Sequence, residues 1–261
     1  MGKLKFGICT GVENIGLLQE LGYDYIEMGV AKTAQMSEEE FDKVCGEVKN
    51  ARIGVETFNS LFPGTFRLSD PKTPDDEIVS YLDPALQRVK KLGGKLVVFG
   101  SGKSRVVAPG QDYSAAYRRL VEVYRLAADT AAKYGLEVVI EPLTRGETNI
   151  INSVHEGALL RADVNRPNLG LLADFYHMEE DGDHVEDIAD VAPLRHIHIA
   201  SLKGRRYPMP EDPDDYLSLF KMLAKTGYEG RVSIEARTDD IAGDAKKSLV
   251  LLKSMEKEAF H

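Results

Sequence analysis

Between residues 136 and 236 the chain reads LEVVIEP (136–142), LGLLADF (169–175), RHIHIAS (195–201) and RVSIEA (231–236). Each is a short apolar run that stops at, or just beyond, an acidic or imidazole side chain: Glu141, Asp174, His198 and Glu235. The gaps between these four are 33, 24 and 37 residues, each about one strand plus one helix long. A carboxylate closing an apolar run is costly to bury unless it is paired or metal-bound. Any one of them alone reads as a rim ion pair. All four, at equivalent places on successive strands, read as the ligands of one divalent metal ion.

The same pattern extends upstream. LKFGIC (4–9), YDYIEMG (23–29), GVETFNS (54–60) and KLVVFGS (95–101) are four further runs, which makes eight in all. Amphipathic stretches separate them. SEEEFDKVCGEVKN opens with a capping box, Ser37 and Glu40. DYSAAYRRLVEVYRLAADTAAKYG has Asp112 as N-cap and Gly135 past its end. In DPDDYLSLFKMLAKTGY, Asp212 and Pro213 suit N-cap and N1. The final 20 residues read as a closing helix. Eight strands alternating with helices over this length predict an α/β fold, a (β/α)8 TIM barrel forming a single domain over residues 1–261. A doubly wound dinucleotide-binding sheet is the rival, but the turn after the first strand, CTGVENIG, lacks the GxGxxG spacing. Long loops at 62–77 and 203–215 follow strands 3 and 7, on the face where barrel enzymes build their sites.

Composition narrows the function classes. A net charge of -9 argues against a general nucleic-acid binder, which needs a basic surface. No apolar run is as long as a membrane span, and MGKLKFGICTG is not a signal peptide. Cys9 and Cys45 do not make a disulfide framework and read as reduced thiols, which suits a cytoplasmic protein. GSGKS (100–104) imitates the end of a phosphate-binding P-loop, but the first glycine of that motif would fall at Val97, so the motif fails. Lys103 and Arg105, which follow strand 4, read as a solvated loop ahead of a second reading, the holding of a substrate phosphate or carboxylate. Glu27 reads equally as a ligand contact or a capped rim charge, and His196 as a packing residue.

Three carboxylates and one imidazole suit a hard or borderline ion, with Mn²⁺, Mg²⁺ or Co²⁺ favoured over Zn²⁺. Two glutamates flanking such an ion can exchange a proton next to a carbonyl through a metal-stabilised enediolate.

The segments IEPLTRGETN (140–149), ADFYHM (173–178), HIHIA (196–200) and SIEAR (233–237) resemble the sugar isomerase/epimerase group of xylose-isomerase-like barrels, which includes ketose 3-epimerases and hydroxypyruvate isomerase. The resemblance implies that Glu141, Asp174, His198 and Glu235 hold the metal, with Glu141 and Glu235 doubling as the acid/base pair. It further implies that His177, Glu147 and Arg205 bind substrate, that the substrate is a small sugar or ketoacid, and that the chain forms a homodimer or homotetramer. Two departures stand out. Thr144 replaces an asparagine in EPLNR, and the chain has no tryptophan to stack on a sugar, leaving Phe58, Phe62, Phe66 or Tyr207 for that place. An apurinic endonuclease on the same barrel would need three zinc ions and histidines on early strands, whereas the first histidine here is His155. Two further readings differ in class. One is a dehydratase of the inosose or dehydroshikimate type, and the other a non-catalytic carbohydrate-binding subunit.

Overall fold

The computed structural model describes residues 2–261. Eight strands close in sequence order into a parallel barrel: β1 (Lys5–Cys9), β2 (Tyr25–Gly29), β3 (Gly54–Asn59), β4 (Leu96–Phe99), β5 (Glu137–Ile140), β6 (Leu169–Asp174), β7 (His196–Ile199) and β8 (Arg231–Ile234). Closure is made by β1 on β8, with Phe6 opposite Val232 and Ile8 opposite Ile234. Each strand coincides with one of the eight apolar runs. Alternate residues face the surrounding helices, as Phe6, Ile8, Ile197 and Ile199 do in the main core. The other set faces inward, where Leu96, Val98, Val139 and Leu172 form a separate small apolar cluster.

The rest of the barrel interior is polar. Tyr25, Glu27, Thr57, His196, His198 and Ser233 are all fully buried there. Gly7 makes room for them, because a Cβ at that position would lie 2.3 Å from the Tyr25 ring. No helix among the described residues is long and apolar enough to cross a membrane.

The predicted caps are present. Ser37 and Glu40 form the reciprocal capping box of helix Glu38–Asn50, and Asp112 accepts from the Ala115 N–H ahead of helix Tyr113–Lys133. Gly135 follows that helix with φ +64°. One start differs. The helix expected to open at Asp212 and Pro213 begins at Tyr216, capped by Asp215. Asp212 instead accepts from the Met209 N–H and the Tyr216 hydroxyl, both at 2.7 Å, so its carboxylate is committed to the loop.

The floor of the barrel is locked by one carboxylate. The pairing of β2 with β3 skips Glu56, so this residue is the extra one in a bulge. Its side chain meets Lys5 at 3.0 Å, Lys95 at 3.1 Å and the Arg231 Nε at 2.6 Å. Burial works against ionisation of Glu56, but the bonds from Arg231, Lys5 and Lys95 outweigh it and bring it down to about 2. A carboxyl held below its unfolded value adds stability above that value and loses it as pH falls toward the folded one. Glu56→Gln is therefore expected to cost about 2 kcal/mol at neutral pH. In urea titrations the gap to the parent should narrow steadily below about pH 4.5. A gap independent of pH would show that the ionised carboxylate is not what locks the floor.

Candidate metal centre

Glu141, Asp174, His198 and Glu235 emerge from β5, β6, β7 and β8 at one end of the barrel, and the structure brings them together. One ligand atom from each lies within 4.8 Å of all the others. His198 Nδ1 stands 3.0 Å from Glu141 Oε1 and 3.5 Å from Glu235 Oε2. Asp174 is also the N-cap of helix Phe175–Asp181. Its Oδ1 accepts from the Tyr176 N–H, which leaves Oδ2 on the side of the cluster. Gly100 is needed beside it, because a Cβ there would sit 2.1 Å from Glu141 Oε2.

Glu27 organises this cluster from below. It is fully buried and accepts four hydrogen bonds, from His198 Nε2 (3.0 Å), His196 Nε2 (2.8 Å), Thr57 Oγ1 (2.7 Å) and Ser233 Oγ (2.6 Å). Because a carboxylate only accepts, Nε2 of His198 carries its proton toward Glu27 and Nδ1 is the atom presented to the carboxylates. Burial opposes the charge on Glu27, but His198 and His196 hold it well below the ordinary range. His196, read from sequence as packing, is the second imidazole on this carboxylate. An outer carboxylate that fixes a ligating imidazole typically contributes ten- to a hundredfold to metal affinity. Glu27→Gln is expected to weaken Mn²⁺ binding by about 30-fold in a calorimetric titration. Unchanged affinity would remove Glu27 from the positioning role.

The donor set fits a divalent cation. Burial pushes the Glu141 carboxyl up, and the nearby charge of Glu235 pushes it further. Burial works to lower His198, yet Glu27 and Glu235 raise it well above its usual value. Without a cation His198 and Glu141 therefore hold protons more tightly, whereas Glu235, despite its burial, is brought down to about 2 by His198 and Arg205. A divalent ion would replace the charge of those protons, and all four side chains offer the oxygen or nitrogen it takes.

The centre opens into a cavity of about 640 Å³. His177 lines it, and its buried Nε2 has no hydrogen-bond partner. The Thr144 N–H donates to His177 Nδ1 at 3.3 Å, so Nε2 bears the hydrogen, and it lies 3.5 Å from Asp174 Oδ2. This contact uses backbone, so it does not depend on the asparagine that Thr144 replaces. Arg205 crosses the opening. It pairs with Glu147 at 2.9 Å, Asp174 at 3.4 Å and Glu235, over the Tyr176 ring. Arg145 is committed to Asp181. Of the four aromatic residues considered for stacking, Phe62 lines the cavity, backed by Phe66, Tyr81 and Phe99. Phe58 and Tyr207 are buried in the core.

Two residues escaped the sequence reading. Asn59, at the end of β3, donates to Glu235 Oε1 at 2.7 Å. Arg105, expected in a solvated loop, is fully buried and donates to the carbonyls of Glu141 and Ile151 and to the Tyr124 hydroxyl. It clamps the loop after β5 behind the centre. Backbone strain also gathers here. Ser60, Ser101 and Arg205 have φ of 51°, 45° and 51°, and all three line the cavity.

Comparison with known proteins agrees with this architecture. The family described as xylose isomerase-like TIM barrel matches residues 15–255. The ketose 3-epimerase of Arthrobacter globiformis is 33% identical over 131 residues, 49% of this chain and 45% of that protein. The L-ribulose 3-epimerase of Methylomonas sp. is 28% identical over 243 residues, 88% of this chain and 79% of that protein. The match thus spans less than half of the first relative and most of the second. Among solved structures, the D-allulose 3-epimerase from Methylomonas sp. superposes with a TM-score of 0.85 at 20% identity, covering 98% of this chain and 99% of that one.

Proposed function

This chain belongs to the xylose isomerase-like TIM barrel family, and from that premise we propose that it is an isomerase or epimerase of a small sugar or related polyhydroxy carbonyl compound. It works with one divalent ion, Mn²⁺, Mg²⁺ or Co²⁺, held by Glu141, Asp174, His198 and Glu235. The observation that carries this reading is the placement of two glutamates, just past β5 and β8, that line one cavity and share one cluster with Asp174 and His198. A purely binding protein has no need of two such carboxylates. The ketose epimerases among its relatives point to the same class.

A bound ion would supply a Lewis acid that polarises the substrate carbonyl. The protein supplies the rest. One of Glu141 and Glu235 removes the proton from the carbon next to the carbonyl, and the other returns one. Asn59 and Arg205 fix the two oxygens of Glu235, so its carboxylate meets the substrate in one orientation. His177 donates through Nε2 to a substrate oxygen. Glu147, held by Arg205, accepts from a substrate hydroxyl. Phe62 gives the sugar an apolar wall.

Product analysis by NMR tests the class. The protein, supplied with each ion in turn, is incubated with ketoses, hydroxypyruvate, inosose and dehydroshikimate. A product of unchanged molecular formula, epimer or isomer, is expected from at least one compound. Loss of water instead would assign the chain to the dehydratases.

A further inference from the structure

We propose that Lys103 and Arg237 form an anion-binding subsite at the mouth of the cavity, so that the substrate carries a carboxylate or phosphate at the end remote from the metal centre. The proposal rests on the isomerase reading above and names its substrate class.

The two cations reach one cavity from opposite sides of the barrel. Lys103 lies in the short helix Gly102–Arg105 after β4, and Arg237 lies two residues past Glu235 after β8. Both are exposed, and both line the same cavity as Glu141, His177 and Glu235. The other cation of the lining, Arg205, is neutralised by Glu147, Asp174 and Glu235. Lys103 and Arg237 are not. Among the described residues, no carboxylate oxygen lies within 4.0 Å of either side-chain charge.

Their backbones are nonetheless held in place. The Arg237 N–H donates to the Arg205 carbonyl at 2.8 Å, and Arg206 bridges alongside it. The stem of Lys103 runs over Gly64, where an added Cβ would stand 3.3 Å from Lys103 Cβ. Ser60 and Ser101 stand on the same lining, on left-handed backbone, and Ser101 Oγ accepts from the Phe62 N–H at 3.0 Å. A held backbone under an uncompensated charge, repeated on two elements that line one cavity, suits an anion. A neutral polyol asks for hydrogen bonds and gains little from a full charge. An acidic substrate also approaches a protein of net charge -9, and two free cations at the mouth would offset that repulsion locally.

Binding of unreactive probes tests this without turnover. Titration calorimetry on the Mg²⁺-supplied protein would compare erythritol, erythritol 4-phosphate and erythronate, with inorganic phosphate as a fourth probe. At least one charged polyol should bind about tenfold tighter than erythritol, and the preference should weaken with salt. The phosphate and carboxylate arms tell which group is taken. Lys103→Gln with Arg237→Gln should remove about tenfold from the charged probe, whereas Lys103→Arg should keep it. An acid that binds through the metal centre alone would keep its affinity in the double variant, and that result overturns the proposal. So does equal affinity for the neutral and charged polyols. Anion preference lost in the double variant, with no isomerisation of any compound, would leave the subsite standing and remove the isomerase reading. Isomerisation of neutral ketoses with no anion preference would do the reverse.

Discussion

Glu235→Gln is expected to fold as the parent does and to lose turnover by about a thousandfold, within the range general acid–base groups supply. The substitution keeps the length of the side chain and an oxygen for the ion, but removes the capacity to take or give a proton. Little refolding should be needed. Glu235 follows β8 at a partly exposed position, an amide keeps the oxygen that accepts from Asn59, and Arg205, which loses its pair with Glu235, still has Glu147 and Asp174. The comparison to make is turnover against metal affinity in the same variant. A collapse of kcat with Mn²⁺ affinity reduced far less places the loss in the proton transfer. Retention of more than about a tenth of the parent rate would take Glu235 out of that role.

Glu141→Gln carries the opposite sign for stability. In the metal-free protein Glu141 is buried close to Glu235 and Asp174, so its charge is paid for by the rest of the fold. Its folded carboxyl holds a proton more tightly than the unfolded one, so this cost grows as pH rises above the unfolded value. A neutral amide does not incur it. The variant without metal should therefore unfold at higher temperature than the parent, by a margin equivalent to about 1 kcal/mol at neutral pH. Metal should then reverse the order. At a hundredfold excess over Kd an ion stabilises the parent by about 2.7 kcal/mol, and the variant, having lost a charged ligand, should gain much less. Scanning calorimetry with and without Mn²⁺ reads both effects. A less stable metal-free variant would mean that the carboxylates are not crowded as the geometry implies.

The barrel was legible because β-strands buried on both faces leave continuous apolar runs, and eight of them stand at near-regular spacing. Glu141, Asp174, His198 and Glu235 stood out for a related reason: each interrupts such a run at its end. Glu27 interrupts β2 in the same way, but its meaning lies in contacts across the barrel to His196, His198 and Ser233, which no local pattern displays. Arg105 misled for a physical reason. An arginine among glycines and serines looks solvated, and only the carbonyls of Glu141 and Ile151 make its burial tolerable. The late start of helix Tyr216–Lys225 is of the same kind. Asp212 has the chemistry of a cap, and tertiary hydrogen bonds take it first.

The measurement that bears most directly on the central claim is solvent hydrogen exchange at the carbon next to a substrate carbonyl. The protein is supplied with Mn²⁺, Mg²⁺ or Co²⁺ in D₂O and given ketoses, hydroxypyruvate, inosose and dehydroshikimate, and the ions are chelated before spectra are taken. The account predicts deuterium at that carbon with the carbon skeleton intact, in parent protein with metal, and none after chelation or in Glu235→Gln. Deuterium that enters at the same rate in chelated protein, or in Glu235→Gln, would contradict it.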